Sequence, residues 1–154
     1  MQSNSQTLIK IVTTFALTVG VTGIMSQPSS ADSSSYLCRS IDNYPATVYR
    51  QYPDAPVTTL IIWTDKYNWM YPPQERCEIV SGNFQLAQDN NLSFLTYTPK
   101  TDQSPYNRVC ATDVVGGDCR QYLFTLPNNG KAPEETIGEL LDIMDGFRNA
   151  PLRQ

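Results

Sequence analysis

Apolar residues recur along the chain with two periodicities, which predict five β-strands and two α-helices. The predicted strands are short runs rich in β-branched, aliphatic or aromatic residues and are bounded by turn-forming residues: 46–49, 57–63, 92–98, 106–112 and 118–126. The second run, Val-Thr-Thr-Leu-Ile-Ile-Trp, is strongly apolar and β-branched, so we expect it to be a central strand.

Two segments have the spacing of amphipathic helices. The first begins at Pro73, and its apolar residues fall on one face: Cys77, Val80, Phe84 and Ala87. The second begins at Pro133 and is expected to end before Pro151, with an apolar face at Ile137, Leu140, Leu141, Met144 and Phe147. The predicted order, β-β-α-β-β-β-α, indicates an α+β fold. We expect a single antiparallel sheet of about five strands with two helices packed on it.

The composition excludes several classes of function. The chain has no His, which rules out a Ser-His-Asp triad, a Cys-His pair and a His-ligated metal. Its 15 acidic residues outnumber its 11 basic ones, so we expect no nucleic-acid partner. Both glycine-rich phosphate-binding patterns are absent, and we expect no cofactor.

Residues 1–31 are predicted to form a signal peptide. The apolar stretch after Lys10 is short beside the about 20 residues of a membrane span, and Ser29-Ser30-Ala31 predicts cleavage after Ala31. An uncleaved membrane anchor is the alternative. We therefore expect an extracytoplasmic protein of the periplasm or cell envelope. The other predicted segments are a flexible lead, a domain and a tail: 32–37, 38–150 and 151–154.

The chain contains four Cys, all after the predicted signal peptide: Cys38, Cys77, Cys110 and Cys119. An even number in an exported protein predicts two disulfides, for which three pairings exist. Gly116-Gly117 predicts a turn between two apolar runs, so we pair Cys110 with Cys119 across a hairpin and Cys38 with Cys77. Zinc would need closely spaced ligand pairs such as C-x2-C, which do not occur.

An aromatic segment before Pro72 is the most unusual feature. Tyr67, Trp69 and Tyr71 lie among polar residues, and exposed rings of this kind form contacts with proteins or sugars. The alternative is that these rings cover the edge of the sheet, because large aromatic residues are mostly buried. The first interpretation makes the three residues a candidate binding site.

Paired carboxyl groups could catalyse hydrolysis without His. Glu75 with Glu78, or Glu135 with Glu139, could act as acid and base in a glycan hydrolase, although solvated helix faces commonly carry such residues. Glu135 and Glu139 also form an acidic stripe with Asp142. No Asp-x-Asp-x-Asp-Gly calcium loop occurs, and we expect no metal.

The chain resembles the circadian-oscillating-protein domain family of cyanobacteria. The matching segments are 45–48, 60–63, 73–85, 109–110, 117–119 and 123–126. The most specific of them is Pro-x-x-Arg-Cys-x-x-Val-Ser-x-x-Phe-Gln over 73–85. The resemblance implies a small exported protein associated with the cell envelope or peripherally with a membrane, and it supplies no reaction and no catalytic residues. We therefore expect a non-enzymatic extracytoplasmic domain that binds a protein or an envelope component. The alternative is a carboxylate-dependent glycan hydrolase.

Overall fold

The computed structural model describes residues 34–67 and 70–154 and shows an α+β fold with two sheets. The four-stranded sheet has the order β1-β2-β3-β7: Ser35–Ile41, Tyr44–Arg50, Thr58–Ile62 and Leu152–Arg153. The three-stranded sheet has the order β4-β5-β6: Phe94–Thr98, Arg108–Thr112 and Gln121–Thr125. The helices are α1 at Pro73–Asp89 and α2 at Pro133–Met144. The predicted signal peptide, its cleavage site and Trp69 lie outside the described residues.

The expectation of a single five-stranded sheet is wrong, and the side chains of α1 explain why the sheets stay separate. Gln85 Oε1 accepts the backbone N–H of Tyr36 on β1 at 2.9 Å. Asn83 Nδ2 donates to the carbonyl of Leu123 on β6 at 3.0 Å. The helix thus satisfies strand groups that would otherwise be available for pairing with another strand.

The first part of β1 and all of β7 lie in segments that were predicted to be a flexible lead and a tail. Residues 35–37 belong to β1, which pairs with β2 across a two-residue turn at Asp42 and Asn43. Both turn residues have positive φ, 50° and 68°, as the primed hairpin turns require. The tail forms β7, which pairs in parallel with β3 through only two residues, Leu152 and Arg153. Such a short strand leaves no local sequence pattern.

The predicted helices are present, but the second is shorter than expected. All four apolar positions predicted for α1 are buried, from Cys77 to Ala87. In α2 the buried residues are Thr136, Leu140 and Ile143. Leu141 and Phe147, which were predicted to be on the apolar face, are exposed.

Gly146 ends the second helix well before Pro151. It adopts φ 78°, and the N–H of Phe147 bonds to the carbonyl of Asp142 at 2.8 Å. The N–H of Gly146 bonds to the carbonyl of Ile143 at 3.2 Å, which completes a Schellman motif. Phe147 therefore lies beyond the helix, and the apolar face predicted from helical spacing does not extend to it.

Both predicted disulfides are confirmed. Cys38–Cys77 joins β1 to α1, with 5.5 Å between the Cα atoms, and Cys110–Cys119 closes the β5–β6 hairpin, with 5.3 Å. In the loop-entropy model, closing loops with separations of 39 and 9 residues stabilises the fold by about 4 and about 2.5 kcal/mol. These contributions are large beside the net stability of about 5–15 kcal/mol of a typical domain.

One main hydrophobic core lies between the sheets and the helices. Leu60 and Ile61 of the first sheet share it with Leu123 and Phe124 of the second, and Leu140 of α2 packs into it. The other face of the first sheet has a smaller cluster, formed by Ala46, Val48 and Ile62. In the part of the chain that the structure describes, no helix is both long and apolar enough to cross a bilayer.

Candidate functional site

An open cleft lies where the first half of α1 faces β6. It has a volume of about 280 Å³. The described residues that line it come from α1, from β6, from the end of β3 onward and from the loop before β5: Trp63, Met70, Tyr71, Arg76, Ile79, Val80, Tyr106, Tyr122, Phe124 and Thr125. We call this feature the aromatic cleft.

The rim of the aromatic cleft exposes large apolar side chains. Tyr71, Tyr106 and Tyr122 are each more than a third exposed, and Met70 is 88% exposed. A concentration of exposed rings on a small domain indicates an interaction surface more often than isolated surface hydrophobics do.

The floor of the cleft is buried and rigidly packed. Trp63 and Phe124 meet edge to face, with ring centres 6.4 Å apart. The Trp63 indole N–H donates to Thr47 Oγ1 at 3.0 Å, and Ser81 Oγ donates to the same oxygen at 3.2 Å. Since these buried polar groups are satisfied within the protein, the floor presents the cleft with an apolar surface.

Arg76 is the one charged residue among the described residues that line the cleft. Its Nη2 donates to the carbonyl of Thr64, and its guanidinium lies 5.4 Å from the centre of the Trp63 ring. Burial lowers the pKa of Arg76 below its usual value, and the charge of Asp65 acts in the opposite direction. The group stays charged at neutral pH, so a positive charge borders an otherwise apolar cleft.

Of the three predicted aromatic residues, the structure describes Tyr67 and Tyr71, and it does not bring these two together in one site. Tyr71 lines the cleft. Tyr67 does not line it; its hydroxyl accepts from Asn129 Nδ2 at 3.4 Å, and the ammonium of Lys66 lies 5.3 Å from its ring centre. The hydrogen bond from Asn129 is the main cause of its lowered pKa. Trp69 falls outside the described residues, so its role stays a prediction.

Several cleft residues were not predicted from the sequence. Tyr122 and Phe124 are two positions apart on β6, so their alternation could have placed both side chains on one face. Ile79 directly precedes Val80 in the sequence and was not among the apolar positions predicted for α1, yet it lines the cleft. Tyr106 was predicted to begin a strand, but it lies in the loop before β5, and it was not predicted to be a site residue.

The predicted carboxylate pairs lie away from the cleft, which no described Asp or Glu lines. Glu78 accepts a hydrogen bond from Gln74 at 2.7 Å, and Glu139 forms ion pairs with Lys131 and Arg148. The hydrogen bond from Lys131 is the main cause of the lowered pKa of Glu139, whereas a general acid needs a raised pKa. Among the described residues, no group of three His, Cys, Asp or Glu side chains could hold a metal ion.

The most specific sequence block, 73–85, forms most of α1 and mainly makes structural contacts. Cys77 is bonded to Cys38, and Gln85 accepts from β1. The Phe84 ring stacks with Tyr36 and Phe124 at centre distances of 5.1 and 6.1 Å. These contacts hold the two sheets on either side of the helix, and only Arg76, Ile79 and Val80 of the block reach the cleft.

The sequence model of a family described as circadian oscillating protein COP23 matches residues 35–154. The chain belongs to the COP23 family. The COP23 match begins at the first residue of β1 and extends through β7, so it includes both sheets, both helices and every described residue of the aromatic cleft. No curated protein and no solved structure matches the chain.

Proposed function

We propose that this chain is a non-enzymatic extracytoplasmic domain that binds a protein or an envelope component through the aromatic cleft. The observation that carries the proposal is the set of exposed rings around an apolar floor. Two disulfides also support an oxidising compartment, because such bonds rarely persist in the cytosol.

A charge placed in the cleft tests this proposal. Ile79 lines the cleft and is 41% exposed, so Ile79→Glu should fold normally while placing a carboxylate among the exposed rings. Leu86 on the same helix is 48% exposed and is not among the cleft residues, which makes Leu86→Glu a matched control.

The measurement is the amount of each variant that sediments with the isolated cell envelope. We expect Ile79→Glu to be released into the soluble fraction while the parent and Leu86→Glu are retained. Equal retention of both variants would contradict binding through this cleft.

Cleavage of the signal peptide is a separate prediction within the same proposal. Removal after Ala31 would give a mature protein that starts at Asp32, because the small residues Ser29 and Ala31 precede that bond. N-terminal sequencing of the purified protein checks it. Recovery of the folded protein with an intact Met1 would instead support the membrane-anchor alternative.

A further inference from the structure

Polar groups on the β6 side of the aromatic cleft are engaged within the protein. The hydroxyls of Tyr122 and Thr125 form a hydrogen bond at 2.7 Å. On β6, the carbonyls of Tyr122 and Leu123 accept from the side-chain amides of Gln121 and Asn83, each at 3.0 Å. On this side of the cleft, a peptide or a sugar would leave water and find few new partners for its own polar groups. These contacts favour a ligand with little polar surface.

The exception to this apolar character is the guanidinium of Arg76. Arg76 is only 8% exposed, and the stacked Trp63 and the carbonyl of Thr64 fix its side chain. Asp65 also interacts with this charge, but it is not among the cleft residues. A ligand that carries one negative charge next to an apolar body would therefore complement the cleft in both respects.

We propose that the aromatic cleft binds a fatty acid, with the acyl chain against the rings and the carboxylate beside Arg76. The inference rests on the proposed function, since it names the envelope component that the cleft would accept. An acyl chain has no hydrogen-bonding groups to satisfy, which distinguishes it from a peptide strand or a glycan at the same surface.

The size of the cleft suits an acyl chain of medium length. An enclosed apolar cavity of about 150 Å³ accommodates one benzene molecule, and the open cleft has about 280 Å³. Decanoate is therefore a suitable probe. Decanol and decyltrimethylammonium have the same chain with a neutral and a positive head group.

Isothermal titration of the disulfide-bonded protein with the three probes tests the charge requirement. We expect decanoate to bind about tenfold more tightly than decanol, and decyltrimethylammonium to bind most weakly. Equal affinity for decanoate and decanol would overturn the role of Arg76 and leave only a neutral apolar site.

Variants at Ile79 repeat the test without disturbing the buried Arg76. Ile79→Glu should weaken decanoate binding by about tenfold, whereas Ile79→Lys should retain it, because only the added carboxylate repels the ligand. Leu86→Glu and Leu86→Lys are the matched controls and should bind like the parent.

The outcomes separate this inference from the proposed function. If Ile79→Glu and Ile79→Lys weaken decanoate binding equally, the fatty-acid inference fails. If Ile79→Glu abolishes sedimentation with the envelope but no probe binds the parent, the cleft binds another component, and again only this inference fails. If Ile79→Glu changes neither measurement, both proposals fail.

Discussion

Tyr36 is a single residue on β1 whose ionisation is coupled to folding. Its ring lies 5.1 Å from that of Tyr49 and 5.1 Å from that of Phe84, measured between ring centres. Burial, with a smaller contribution from Tyr49, raises the pKa of Tyr36 to about 12 from the ordinary value of 10.0. The folded protein therefore keeps this phenol protonated at pH values where the unfolded chain loses the proton.

The raised pKa of Tyr36 predicts a loss of stability at alkaline pH. A folded-state pKa above the unfolded value gives stability that is complete below pH 10 and is lost as the pH rises towards 12. For a partly exposed phenol the loss should be about 2 kcal/mol in the free energy of unfolding. Tyr36→Phe should lack this component, whereas Tyr52→Phe, at an exposed position, should retain it.

Urea unfolding of the parent and of both variants, from neutral pH to pH 12, measures the effect. The free energy of unfolding of the parent should fall relative to that of Tyr36→Phe as the pH rises from 10 to 12. Parallel pH profiles for the parent and Tyr36→Phe would show that the phenol of Tyr36 is not the responsible group.

At the scale of elements, α1 is the central support of the fold. It carries the disulfide to β1, the stacked ring of Phe84 and the amide side chains that bond to both sheets. Gln88 adds a bond from its Nε2 to the carbonyl of Ser34 at 3.0 Å. The position of β1 therefore depends on side chains of α1 as well as on its pairing with β2.

Removing one of these amides should loosen the edge of the first sheet. Gln85→Ala leaves the N–H of Tyr36 without its partner and should cost about 1 kcal/mol of unfolding free energy. The exchange of the Tyr36 amide hydrogen should accelerate more than that of neighbouring amides. Glu78→Ala is the control, because Glu78 is exposed and its carboxylate accepts from Gln74 within the same helix. An unchanged Tyr36 exchange rate in Gln85→Ala would contradict this role.

The elements predicted most accurately are those specified by local sequence. Pro73 starts α1 because proline at a first helical position loses no hydrogen bond, and four buried positions follow at helical spacing. The Cys110–Cys119 pairing could be predicted because Gly116-Gly117 places both cysteines on one hairpin. The turn at Asp42 and Asn43 could also have been predicted, since these residues tolerate positive φ, but no strand was predicted before residue 46.

The features that were missed depend on contacts between distant segments. No local pattern distinguishes one sheet from two, because the separation depends on where Asn83 and Gln85 reach across to the strands. The aromatic cleft is a similar case: Tyr71, Tyr106 and Tyr122 come from three separate parts of the chain. The sequence predicted Tyr71 from its polar neighbours, but the other two rings join it only after the sheets pack around α1.

At the scale of the whole molecule, two sheets share one core. Leu60, Val109 and Leu123 are fully buried and belong to the same cluster although they lie on different sheets. The rings of Phe84 and Phe124 stack across the boundary between the helix and the second sheet. Neither sheet retains its buried surface without the other, so the fold should unfold as one cooperative unit.

Leu123→Ala tests this cooperativity from one side of the molecule. Leu123 is on β6, and truncating a fully buried Leu should cost about 2–5 kcal/mol because a cavity replaces its packing. If the sheets are one unit, amide hydrogen exchange through global unfolding should accelerate by the same factor in β3 of the first sheet as in β5 of the second. Tyr122→Ala, at an exposed position on the same strand, should leave both rates nearly unchanged. An acceleration confined to β4, β5 and β6 would show instead that the second sheet opens independently. Trp63 and Phe124, which form the floor of the cleft from its two sides, would then separate without global unfolding.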